Sequence, residues 1–112
     1  MIKEKNNRQV FFSKGTKFQG KIESKYNIYL SGEVKGEVVS EQDIYVLRGA
    51  KVFSSLKAVN IQILGLCEGD VTAAQDVIIS EDARVFGNII CKSLDCAQGA
   101  IYSGELQVTV QK

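Results

Sequence analysis

The chain has no histidine and only three cysteines among its 112 residues, which removes most routes to covalent chemistry. Without His, the usual general base is missing, and so are the Ser–His and Cys–His nucleophile pairs. The carboxylates Glu33, Glu37, Glu68, Asp70 and Glu105 are spread along the chain. They read as a solvated charged surface rather than a paired acid and base. The glycines match neither a Walker loop nor a dinucleotide fingerprint. Cys91 and Cys96 form no recognised zinc spacing, and no His is available to complete a ligand set. Neither catalysis nor a cofactor nor a metal is expected.

The cysteines become intelligible only through the elements that hold them. An apolar, small, apolar triplet at alternate positions recurs six times: Phe18/Gly20/Ile22, Val34/Gly36/Val38, Val52/Ser54/Leu56, Cys67/Gly69/Val71, Val85/Gly87/Ile89 and Tyr102/Gly104/Leu106. The first members lie 16, 18, 15, 18 and 17 residues apart. A second apolar pair recurs between the triplets: Ile28/Leu30, Ile44/Val46, Ile61/Ile63, Val77/Ile79 and Leu94/Cys96. Cys67 and Cys96 thus occupy apolar columns. Cys91 shares one with Ser24, Ser40, Ala58 and Ala73. Reduced cysteines acting as small buried hydrophobes are the reading for all three.

Alternation within each half-repeat is the period of a strand with one buried side. Turn-prone residues separate the halves, as in Ser31-Gly32, Arg48-Gly49 and Gln98-Gly99. Proline is absent, as suits strands paired on both edges. A repeat of this length cannot bury its apolar face alone and must stack on its neighbours. The expected fold is an all-β solenoid, a parallel β-helix of about six turns with about 17 residues each. Its rod would be roughly 29 Å long at ~4.8 Å per turn. Strict alternation points the small column of Gly20, Gly36, Ser54, Gly69, Gly87 and Gly104 inward, where the coil has little room. Residues 1–14 fall outside the pattern and read as a flexible tail, 15–108 as the β-helix, and 109–112 as a short stub.

A β-helix cut off at either end shows unpaired backbone groups above an apolar core, and solenoids normally cover such ends. No capping repeat is evident here. The first turn offers Phe18, Ile22, Ile28 and Leu30, and the last offers Leu94, Ile101, Tyr102 and Leu106. These eight residues are the expected polymer interface, and the partner expected is a second copy of the chain. Tyr29, Tyr45 and Ile78 share an outward column interrupted by Gln62, while Phe53 and Phe86 share another. Both columns are candidates for lateral contacts.

The formal charge is +1, so there is no basic field to attract nucleic acid. Residues 1–14 carry Lys3, Lys5, Arg8 and Lys14 against Glu4. With Ile2, Val10, Phe11 and Phe12 they combine apolar anchors and cations, the composition of a contact with anionic lipid. No stretch approaches the ~20 apolar residues of a membrane span, and no apolar segment suits a secretory signal. With an odd number of cysteines, a reducing cytoplasm is expected.

The order and spacing of several stretches resemble the bactofilins. These are Gly15 to Ser24, Leu30 to Gly36, Glu68 to Ala73, Ala83 to Ile89 and Gly99 to Gly104. The resemblance covers residues 15–106. It implies a right-handed β-helix that assembles without nucleotide into non-polar filaments by joining like ends. It also implies a scaffold at the cytoplasmic face of the inner membrane, serving cell shape or cell-wall synthesis beside peptidoglycan-modifying enzymes. An aromatic near the end of the last turn, usually Phe, matters for polymerisation in that family, and Tyr102 holds the matching position. Its hydroxyl must find a partner or reach water.

A non-polymerising sugar- or cell-wall-binding β-helix is the alternative. Such solenoids use longer turns and loop-built grooves, which 15- to 18-residue turns leave no room for. A left-handed hexapeptide-repeat acyltransferase would show three near-identical sides per turn and commonly a His base.

Overall fold

Each half-repeat forms one strand or a split pair, and the parallel strands of the coil find their partners in neighbouring turns. The structure, a computed structural model, describes residues 3–5, 9–12 and 14–109. One sheet contains, in spatial order, β1 (Lys3–Lys5), β2 (Gln9–Phe12), β4 (Asn27–Leu30), β6 (Asp43–Val46), β8 (Asn60–Ile63), β11 (Asp76–Ile79) and β14 (Ser93–Cys96). The other begins with the long strands β3 (Lys17–Ser24), β5 (Glu33–Ser40) and β7 (Lys51–Ala58). It continues as split strands: β9 (Leu66–Glu68) with β10 (Val71–Ala73), β12 (Arg84–Phe86) with β13 (Ile89–Cys91), and β15 (Ile101–Ser103) with β16 (Leu106–Val108). β7 bridges the two forms, its first half pairing with β9 and its second with β10. The result is a parallel β-solenoid of about six turns, measuring 36 × 30 × 21 Å, with no helix among the described residues.

Register is in phase throughout. Ile28 lies on Ile44, Ile44 on Ile61, Val77 on Ile61 and Leu94 on Val77. Val34, Val52, Cys67, Val85 and Tyr102 stack in the same way. All members of these columns before the last turn are essentially inaccessible to solvent. Each buried Val, Leu or Ile contributes about 1.5–3 kcal/mol relative to exposure. In-phase register lets every turn bury its side chains against like residues above and below.

The corners stack as well as the strands. The Leu47 amide donates to the Leu30 carbonyl at 2.9 Å, and the Leu64 amide to the Val46 carbonyl at 2.7 Å. Side chains satisfy corner groups that the ladder misses. Asn27 Oδ1 accepts from the Asp43 amide at 3.1 Å, Asn60 Nδ2 donates to Asp43 Oδ1 at 3.1 Å, and Asn60 Oδ1 accepts from the Asp76 amide at 3.2 Å. This polar ladder runs beside the outward aromatic column, where Tyr29 and Tyr45 stack with ring centroids 4.9 Å apart.

Two expectations change. The small-residue column does not point inward at its glycines. Gly36 has φ 122°, and a Cβ there would overlap the Gly20 carbonyl oxygen on the turn below. Glycine is required by the positive φ and the close approach of the neighbouring backbone, not by interior volume. Only Ser54, in the undivided β7, behaves as alternation suggests. It is 4% exposed, and its hydroxyl has no hydrogen-bond partner.

The solenoid also begins earlier than Gly15. β2 pairs in parallel with β4, Val10 beside Ile28 and Phe12 beside Leu30. Phe12 is fully buried. Residues 9–12 are therefore the first strand of the coil, not tail, because they repeat the Ile28/Leu30 alternation one turn earlier.

Ser54→Ala should raise stability by about 1 kcal/mol, since it removes an unsatisfied buried hydroxyl. Gly36→Ala should lower it by about 2 kcal/mol or more through strain and backbone clash. Thermal unfolding of the two variants beside the parent should show shifts of opposite sign.

Candidate assembly interface

The last turn has the same inward alternation as the others, but among the described residues nothing is stacked upon it. Its columns end in Leu94 above Val77, Cys96 above Ile79, Tyr102 above Val85, Leu106 above Ile89 and Val108 above Cys91. The lower members are buried, whereas Leu106 is 43% and Val108 46% exposed. Among the described residues no strand pairs with the outer edges of β14, β15 or β16. These three strands therefore present unpaired backbone groups around an apolar centre.

Tyr102 sits half-buried at that centre and packs against the core. Its hydroxyl donates to the Glu105 carbonyl at 2.6 Å, closing a short loop within the last turn. Burial, followed by Cys91 and Glu105, holds the phenol's pKa above its ordinary value. The ring remains a neutral apolar plate whose polar atom is already satisfied.

Ile101 falls in a different place from its neighbours. It pairs with Arg84 on the outer surface and is 47% exposed. It flanks the end face and does not extend an inward column. Cys96 departs from the expectation of burial. It holds an inward position but is exposed, because among the described residues no turn covers it.

The N-terminal end is built differently. Ile28 and Leu30 are buried beneath β2 and form no terminal surface. Phe12 and Phe18 meet edge to face, centroids 5.4 Å apart, and Ile22 is only 3% exposed. The aromatics fill the end of the core. β1 then pairs with the free edge of β2, antiparallel to it.

Phe12 is thus unavailable to lipid as a surface anchor; it is core. Phe11, 40% exposed, stacks on Tyr29 at 5.5 Å and extends the outward aromatic column. Ile2 lies outside the described residues, and Val10 is described by its backbone register alone. The signal for β2 was present in the sequence: Val10, Phe11 and Phe12 precede Ile28, Tyr29 and Leu30 by 18 residues, within the range of the other turns.

The concave features are shallow. The groove beside Asp43, Tyr45, Asn60, Gln62, Asp76 and Ile78 encloses about 250 Å³. Among the described residues no cluster of Cys, Asp or Glu is arranged to hold a metal. No helix among them is long and apolar enough to cross a membrane. What the geometry brings together is a solenoid end, not a cleft.

The fold is thus a parallel β-solenoid whose last turn, among the described residues, carries unpaired strand edges around apolar side chains. The family profile described as Bactofilin, polymer-forming cytoskeletal, matches residues 10–107. The chain belongs to the bactofilin family. A filament structure is also similar: the cryo-EM reconstruction of Thermus thermophilus bactofilin double helical filaments. It is 24% identical, covers 88% of this chain and 98% of its own, and superposes with a TM-score of 0.83. No curated protein matches the chain.

Thiol chemistry should report the geometry of the open end. Cys67 is buried, and desolvation followed by Glu68 pushes its pKa up to about 12. At pH 8 roughly one molecule in ten thousand would carry that thiolate. Cys91 is likewise buried, with its pKa raised. Iodoacetamide should alkylate Cys96 readily and leave Cys67 and Cys91 untouched until unfolding, as peptide mass spectrometry can measure.

Proposed function

We propose that this bactofilin is a filament subunit whose activity is assembly itself, with solenoids joining end to end at like ends. The observation that carries this reading is the last turn, where Leu94, Tyr102, Leu106 and Val108 end buried columns without cover. A second copy related by a two-fold axis would bury them and supply partners for three strand edges. Aligning inward positions across such a junction sets Tyr102 of each copy against Leu106 of the other. Gly104 then lies on the axis.

The driving force is apolar burial together with ladder completion, which requires no nucleotide. Joining like ends makes the filament non-polar. In the cell the polymer would serve as a scaffold for cell-shape or cell-wall machinery, including peptidoglycan-modifying enzymes. Attachment to the inner membrane is part of the same proposal. Its carriers are Phe11 and the cations Lys3, Lys5, Arg8 and Lys14, displayed many times along a filament so that weak contacts add.

Negative-stain microscopy and sedimentation test the central claim. Micromolar protein in nucleotide-free buffer should form filaments; a monodisperse monomer would overturn the reading. Tyr102→Arg buries a charge at the junction and should raise the critical concentration by about 100-fold or more. Cys96 alkylation should slow in pelleted polymer relative to that variant. Raising salt should release filaments from anionic vesicles before it shortens them, because the lipid contact leans on exposed charge while the junction leans on burial.

A further inference from the structure

Every strand pair described is parallel except one. β1 lies antiparallel on β2, with Lys3 opposite Phe11, Glu4 opposite Val10 and Lys5 opposite Gln9. A further turn of the coil would place a parallel strand on that edge. A second copy joining by its own N-terminal end would place an antiparallel one. A two-fold axis along the sheet normal reverses both the solenoid axis and the strand direction, and it keeps inward faces inward. β1 therefore holds the position and direction that β2 of a second copy would take.

The turn is divided so that such an axis can pass through it. Phe11 and Gly20 are nine residues apart, and Gly20 and Tyr29 are again nine apart, so Phe11 and Gly20 mark opposite points of one turn. With the axis through both, β3 meets β3 of the second copy around Gly20. Inward Phe18 then opposes Ile22, and Lys17 opposes Glu23, each pair occurring twice. Both charges lie on a strand whose outer edge is unpaired among the described residues. On the outer face Phe11 meets Phe11 of the second copy. The stack Phe11–Tyr29–Tyr45 would then run unbroken through the junction.

We propose that the edges of β2 and β3 form the N-terminal docking surface for a second copy, and that β1 competes for that surface. N-terminal ends would then join only when β1 is displaced, whereas C-terminal ends join unhindered. This rests on the end-to-end reading above. β1 is suited to the part because it pairs over three residues, and so short a two-stranded contact is marginal alone. A joining partner offers β3, with eight residues, in addition to β2.

A reversible lock in the full chain tests the competition. Glu4→Cys with Val10→Cys joins directly opposed positions, in a Cys96→Ala background that removes the exposed thiol. Reduced, this protein should form filaments; oxidised, it should stop at dimers joined by C-terminal ends, and dithiothreitol should restore elongation. Equal polymerisation of the oxidised and reduced forms would overturn the competition and leave end-to-end assembly standing. If the unmodified chain is also monomeric, both readings fall. Should the paired cysteines prevent folding, Glu4→Pro decides. It weakens β1 and should lower the critical concentration roughly tenfold; no change would count against β1. The surface itself is tested by charge exchange. Lys17→Glu and Glu23→Lys should each weaken filaments, and the double variant should recover most of the loss. Failure of that recovery would reject the assigned register.

Discussion

Everything in this molecule depends on one constraint: the parallel strands of a turn find their ladder partners in the turns beside it. A strand in a hairpin protein can find a partner a few residues away. Here the partner of Val34 is Val52, eighteen residues on. The apolar side chains obey the same rule, since the columns are buried only where another turn lies above. Hydrogen bonding and hydrophobic burial therefore fail together at an end and are satisfied together when something covers it. That coupling makes an uncovered end a strong association site and a covered one inert.

Gly36 within β5 and the polar side chains at the corners show how tightly this constraint binds the sequence. Turn-to-turn spacing of ~4.8 Å leaves no space for a Cβ directed along the stack, and Gly36 sits where one would strike the carbonyl below. The Asn and Asp side chains at the start of the first sheet's strands have the opposite task, supplying hydrogen bonds where the main chain turns away. Ser54 is the exception that identifies the rule. It lies in register with Gly36 on the next strand, yet its side chain is buried and its hydroxyl finds no partner there.

The fold was legible because its signal is repeated six times, and no single copy has to be unambiguous. Alternation named the inward columns, and the spacing of first members named the parallel stack. Three features were hidden for distinct physical reasons. β2 was obscured because the charged residues around it look like a tail, although Phe12 repeats Leu30. The glycine column looked like an interior-volume effect because sequence reveals small size but not φ. Ile101 looked like an end residue because hydrophobicity does not tell which face of a strand it occupies; its pairing with Arg84 does. In Cys96 the side chain's direction was readable and its exposure was not. Exposure there depends on whether a turn lies above, which is a property of the whole stack.

The two ends answer the same deficit differently, and this has a consequence for how a filament grows. At the C-terminal end the deficit is left open, with Leu106 and Val108 at 43% and 46% exposure. At the N-terminal end Phe12 and Phe18 already fill the core, and β1 already occupies the β2 edge. The free energy available from joining is a difference between free and joined states. An end with its own cover gains less than a bare one, even when the final junctions are equally well made. If like ends join, C-terminal pairs are therefore the first species to form, and the elongating unit is a dimer with an N-terminal end at each tip. Control of filament growth would then lie in a three-residue strand and not in the solenoid whose repeats dominate the sequence.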